Sequence, residues 1–271
     1  MRTTLMTTVA LLFAVSDACA GPYAPPAGQV GSTAIGNTSP LFVEWASGFQ
    51  DLIRGPQDIA NPGGPTATFG TGAEALGFAD GNSLHVVSLG DGGQITLSFA
   101  HAITNGPGFD FAVFENGFAD AFLELAFVEV SSNGIDFARF PAVSLTNTAT
   151  QIGSFGALDA TNLDNLAGKY RGGFGTPFDL GQVAGLVSSV DVGAIGFVRL
   201  VDVVGSINPA LGTFDSWGHL VNDPYPTAFS SGGFDLDGVG VIYTVPEPAG
   251  VALFITAAAI CWLFRRRFGR S

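Results

Sequence analysis

The chain has 271 residues, of which 47% are hydrophobic and 12% charged, with 38 glycines and 24 phenylalanines. Charged residues are about half as frequent as usual and glycine about twice, which excludes a coiled coil, a helical bundle and a highly charged disordered chain. The net charge is −13, and residues 21–245 carry five basic residues against 21 acids, a net charge of −16. Such a surface repels phosphate backbones, which excludes nucleic acid as a partner and suits Ca²⁺ or a basic partner. The two cysteines, Cys19 and Cys261, lie in terminal apolar segments, so the body between them has neither a disulfide nor thiol chemistry.

Residues 1–20 read as a secretory signal peptide. Arg2 supplies the positive start, residues 5–15 the apolar stretch, and Ala18-Cys19-Ala20 the small-x-small cleavage pattern, with the cut before Gly21. Residues 21–245 then form one extracellular domain, whose first part, 21–75, is irregular with a short helix. That helix is predicted over 40–48, from Ser39 as N-cap, Pro40 in the first turn and Glu44 nearby. β-Branched or aromatic runs at 84–89, 94–99, 109–114, 123–131, 137–140, 194–204 and 234–243 read as strands separated by Gly, Asn, Asp and Pro. Asn133-Gly134 between two such runs predicts a hairpin with a type I′ turn. Residues 146–185 read as the loosest part, with 168–175 a long loop. Sheet content and length predict an all-β domain, a jelly-roll-type two-sheet β-sandwich with long loops.

Catalytic motifs are scarce. The sequence holds no His-Glu-x-x-His, Gly-x-Ser-x-Gly or Ser-x-x-Lys, no Walker loop and no dinucleotide fingerprint. His219 near Asp215 and Trp217 reads as loop packing. Glu115, Glu124 and Glu129 are the candidates for a glycosidase pair, but Glu124 and Glu129 have opposite parity on one predicted strand and should face opposite ways. A structural Ca²⁺ is a better use for these acids. Asp235 and Asp237 are two apart on a predicted strand and should share a face, with Asp202, Asp110 and Glu115 as further ligands. Trp217, Tyr170 and Tyr225 lie in Gly/Pro-rich stretches where exposed rings stack on sugars.

The C-terminus, 246–271, has three parts in order: Val245-Pro246-Glu247-Pro248, an uncharged stretch at 249–264, and a basic tail with Arg265, Arg266 and Arg267. As a helix the uncharged stretch spans ~24 Å, short of a bilayer core unless flanking arginines snorkel. The basic cluster keeps the cytoplasmic side and the acidic body the outer one. This tail resembles the PEP-CTERM sorting signal. The resemblance implies an inner-membrane-anchored precursor in a Gram-negative bacterium, held through a transmembrane helix at 249–264. It also implies cleavage by an exosortase and delivery to the cell surface or extracellular matrix. Signal peptidase and the secretion machinery are the other partners implied.

Three segments carry a second resemblance: 111–116 (Phe-Ala-Val-Phe-Glu-Asn), 123–134, and 233–239 (Gly-Phe-Asp-Leu-Asp-Gly-Val). They look like uncharacterised bacterial cell-surface proteins and, more distantly, galactose-binding-like or discoidin-like jelly rolls. Those folds bind glycans, lipids or proteins. The function expected is a non-catalytic surface protein contacting exopolysaccharide or surface partners. Two alternatives stay open: a carboxylate-based polysaccharide-active enzyme, and a purely structural coat component.

Overall fold

A computed structural model describes residues 20–246. Fourteen strands follow in chain order: β1 (Ile35–Gly36), β2 (Glu44–Trp45), β3 (Gly48–Ile53), β4 (Val87–Ser88), β5 (Gln94–Ile103), β6 (Phe111–Glu115) and β7 (Ala126–Ser131). They continue with β8 (Ala138–Arg139), β9 (Val143–Ser144), β10 (Leu163–Asp164), β11 (Leu166–Ala167), β12 (Phe174–Phe178), β13 (Ile195–Asp202) and β14 (Asp235–Val241). The described residues contain no α-helix, only 3-10 turns at Gly72–Ala75, Ala160–Asn162 and Leu180–Gln182.

All pairings are antiparallel. One large sheet runs β1-β12-β6-β14-β2, with β4 also on β14; a second runs β11-β7-β13-β5-β3, with β8 also on β7; β9 and β10 pair in a small sheet of their own. The long strands β5, β6, β7, β12, β13 and β14 alternate between the two sheets as the chain proceeds. The period-2 pattern explains why the sheets face each other. Val128 and Val130 of β7, Val198 and Leu200 of β13, and Leu97 of β5 join Phe111 and Val113 of β6 and Val239 of β14 in one buried core. Phe111, Phe140 and Phe178 meet at its centre, with ring centroids 4.9–5.9 Å apart. Both sheets supply this core, as in a β-sandwich.

The outer faces are covered too. Ala112 and Phe114 on the back of β6 pack with Ala79, Phe42 and Trp45. Leu123, Leu125 and Phe127 pack on the other sheet with Leu158, Leu163 and Val221. This double coverage is the physical reason for the near-continuous apolar runs.

The predicted strands after residue 84 all contain a strand, most of them shorter than the run that suggested them. Three expectations need correction. Residues 40–48 are not helical: Ser39 does receive the Leu41 amide, but the chain then enters β2. Glu44 accepts hydrogen bonds from the Ala100 and His101 amides and the His101 ring, and Trp45 packs on Phe42, Phe78 and Phe114. Sheet pairing and ring burial outweigh the local cap signal. The Asn133-Gly134 hairpin joins β7 to β8, with Val130 opposite Ala138, but the turn is not type I′. Only Gly134 has a positive φ of 74°; the Asn133 side chain instead accepts the Ile135 and Asp136 amides, each at 2.9 Å. Residues 168–175 are no surface loop: Lys169 and Tyr170 are buried and β12 begins at Phe174. Pro177 is tolerated in β12 because β1 pairs only with Phe174 and Gly175, leaving the strand edge beyond them without a partner that needs its N–H.

The two ends of the described chain are tied down. The Gly21 amide donates to Thr161 Oγ1 at 2.6 Å, and the Val245 amide to the Ala102 carbonyl at 2.8 Å. The predicted cleavage pair Ala20–Gly21 lies inside the described residues, as do Val245 and Pro246, while Ala18, Glu247, Pro248 and the 249–264 segment lie outside them. Among the described residues no helix is long and apolar enough to cross a membrane.

Candidate functional site

The alternation of long strands between sheets brings one set of strand ends together. β6 finishes at Glu115, β13 finishes at Asp202, β14 starts at Asp235, and β7 starts two residues after Glu124. Asp91, before β5, and Asp223 reach the same end. All six carboxyls are buried. Each is raised above its ordinary range, with burial the main cause in every case. Asp91 and Asp235 are pushed up to about 6, while Glu115, Glu124, Asp202 and Asp223 go well above their usual values. Mutual repulsion adds to the effect, since Glu124 feels Glu115, Asp235, Asp223 and Asp202.

Their hydrogen bonds divide them. Each oxygen of Asp202 has a donor, Oδ1 accepting the Phe234 amide at 2.6 Å and Oδ2 the Gly92 amide at 2.9 Å. Asp91 accepts the Ile59 amide and the Thr227 hydroxyl. Asp235 accepts from the Ser88 hydroxyl and from Asn116 Nδ2, and it alone feels a guanidinium, that of Arg54. Arg54 directs its own donors to the Phe69, Ser88 and Gly70 carbonyls. Glu115 and Asp223 are half satisfied: each accepts one amide, from Gly117 and Leu125, and each leaves a buried oxygen without a partner, Glu115 Oε1 and Asp223 Oδ1. Glu124, 9% exposed, makes no side-chain hydrogen bond.

Above these acids lies a cleft of about 550 Å³. Glu124, Asp235 and Asn116 form its polar part, with several serine and threonine hydroxyls. Phe118, Phe122, Phe155 and Phe229 form its wall. The rings run on from one another: Phe118 stacks on Phe122 at 4.3 Å, Phe122 on Phe155 at 6.0 Å, and Phe155 meets Phe229 at 5.7 Å. Phe118 is 73% and Phe155 71% exposed, so this is an open apolar surface beside buried acids. No lysine or arginine lines the cleft.

The five residues expected to hold Ca²⁺ are not brought to one place. Glu115, Asp235 and Asp202 reach the acidic end. Asp110 sits at the opposite end of β6, where it accepts the Gly106 and Leu180 amides and fixes two turns. Asp237 accepts the Gly81 amide and opens on a separate cleft of about 190 Å³ with Asp80 and His85. The reason is a bulge. Leu236 pairs with Glu115 and Gly238 with Phe114, so Asp237 is an extra residue that breaks the alternation expected of Asp-x-Asp. Among the described residues, no group of three or more His, Cys, Asp or Glu side chains is placed to hold a metal ion.

Of the three proposed sugar platforms, Tyr170 is buried, with its hydroxyl 2.8 Å from Thr33 Oγ1. Tyr225 is half-buried and donates to Asp58. Trp217 is 60% exposed but lies by the 215–219 loop, away from the acidic cleft. Glu129 pairs with Arg139 and Arg199 and takes no part. His219 Nδ1 lies 3.0 Å from Asp215 beside a third cleft of about 490 Å³. Among the described residues no hydroxyl hydrogen-bonds its other ring nitrogen.

Sequence reasoning weighed Glu124 only as a partner for Glu129 and did not single out the four phenylalanines. The signal was present: four acids stand at the ends of predicted strands that an alternating sandwich brings to one side. The chain matches no family model, and no curated protein matches it.

Proposed function

We propose that the chain is an exported, exosortase-sorted cell-surface or matrix protein, whose jelly-roll-type sandwich binds exopolysaccharide in the phenylalanine-walled acidic cleft. The observation that carries the binding reading is the cleft: stacked rings form an exposed apolar wall beside hydrogen-bonding groups. That pairing suits a sugar ring, which has apolar C–H faces and a polar rim. The strand order supports the jelly-roll reading, since the two six-stranded sheets contain the four-stranded runs β4-β14-β6-β12 and β5-β13-β7-β8, and the long strands cross from one to the other in succession. The sorting reading rests on the sequence: the Pro-Glu-Pro motif, the uncharged stretch and the arginines in order. An exposed Ala20 before a Gly21 held on Thr161 agrees with a cut between them.

The test of binding is titration of the purified chain with matrix polysaccharide and defined oligosaccharides. Phe118→Ala and Phe155→Ala should weaken binding severalfold with folding intact, because both rings are exposed. Unchanged binding in both variants would sink the cleft as the site. Sorting is tested by following the precursor: replacing Pro246 and Pro248 by Ala should leave an unprocessed, membrane-held form. A second reading, hydrolysis, is favoured by two carboxyls of raised pKa opening on the same cleft, Glu124 and Asp235. It requires turnover of a polysaccharide that both Glu124→Gln and Asp235→Asn abolish.

A further inference from the structure

The polar part of the cleft is unusual in what it lacks. Its acids have no lysine or arginine across the opening. Glu124 is nine-tenths buried, lines the cleft and has no hydrogen-bond partner. Burying a carboxyl group without donors is costly, so Glu124, unsatisfied at a cavity, calls for a ligand that brings donors. A metal ion does not fit the surroundings. Only two acids line the cleft, and among the described residues no group of three or more His, Cys, Asp or Glu is placed for a metal. An organic ammonium fits both halves. It donates up to three hydrogen bonds to the carboxyl oxygens, and its carrier lies on the ring faces, which also attract a cation.

We infer that the cleft, taken as the saccharide site proposed above, selects a hexosamine whose amino group is free and protonated, with Glu124 and Asp235 receiving the ammonium and the Phe118–Phe122–Phe155 wall receiving the ring. An N-acetylated sugar loses the charge and two of the three donors, and leaves Glu124 unpaired. A uronic acid brings a further acid to Glu124 and Asp235 and no ammonium, and binds more weakly. Selection of this kind is large because the wrong ligand strands buried polar groups rather than merely missing a contact.

The experiment is calorimetric titration of the purified chain at pH 6 with a β-1,4-linked glucosamine tetramer and with its fully N-acetylated counterpart. The free-amine tetramer should bind at least about tenfold tighter. Glu124→Gln should erase that preference while Phe118→Ala weakens both ligands alike. A preference under tenfold, or one for the acetylated tetramer, overturns ammonium selection while leaving the cleft a saccharide site. Binding of neither tetramer, nor of any matrix fraction, overturns the saccharide reading and the selection with it. If Glu124→Gln folds poorly, the wild-type comparison of the two tetramers decides by itself.

Discussion

Asp215 and Glu124 are both nearly buried carboxyls in this acidic chain, yet they are treated in opposite ways. Burial would raise Asp215, but it accepts the His219, Ser144 and Trp217 amides and faces the His219 ring, and these donors hold it below its ordinary range. Glu124 has no donor and four acidic neighbours, and burial drives it well above. Burial alone does not set the charge of a carboxyl; the donors aimed at it and the charges around it act with it. One region uses an acid to organise a loop, and the other leaves Glu124 without a partner and one oxygen each of Glu115 and Asp223 unpaired.

The contrast is broken most strongly at the organised end. Asp215→Ala removes four hydrogen bonds and should cost about 3 kcal/mol, read by urea unfolding; a loss below about 1 kcal/mol would show that the loop does not depend on its donors. At the acidic end the pH profile carries the sign. Asp91 and Asp235 titrate near 3.8 when unfolded and at about 6 when folded. The folded state therefore binds more protons between those values, and stability falls as pH rises through this window. The more strongly raised Glu115, Glu124, Asp202 and Asp223 extend the fall to higher pH. The melting temperature should drop by on the order of 5 °C from pH 5 to pH 8. A profile that rises over this range would mean that the acids are compensated by a charge.

A single neutralisation at the same end should do less. Glu115→Gln keeps the shape and removes one raised titration, so it should add about 1 kcal/mol at pH 8 and flatten the profile, measured by thermal melts at both pH values. A loss of stability at pH 8 would mean that the ionised form is held in the folded protein. The smallest effect is expected from Ca²⁺: exchanging EDTA for millimolar CaCl₂ should move the melting temperature by less than about 1 °C. A rise of several degrees, absent with Mg²⁺, would instead give the free oxygens of Glu115 and Asp223 to a shared cation.

The long strands were legible because their residues report burial on both faces. Phe111 to Phe114 read as a strand whichever way they face, since Phe111 meets the shared core and Phe114 meets Trp45. β12 was not legible: Gly175 and Pro177 are strand-averse, and the strand forms only because β6 lies beside it. β2 was hidden for a similar reason, its residues being helix-compatible until β14 and the His101 segment claim them. The candidate site was half legible. Glu115 and Asp235 were visible as acids at strand ends. Their convergence with Glu124 depends on strand order, which periodicity does not contain, and Asp237 was misplaced by one bulge residue.

β14 begins at the cleft with Asp235 and runs to Val241, after which the chain is fastened beside Ala102 at the far end of β5. Seven residues of extended strand are a rod of ~20 Å. If the sequence beyond Pro246 anchors the chain as proposed, the pull falls on the pole opposite Asp235 and the cleft. That attachment would leave the cleft at the free end of the domain, one strand length from the point of pull.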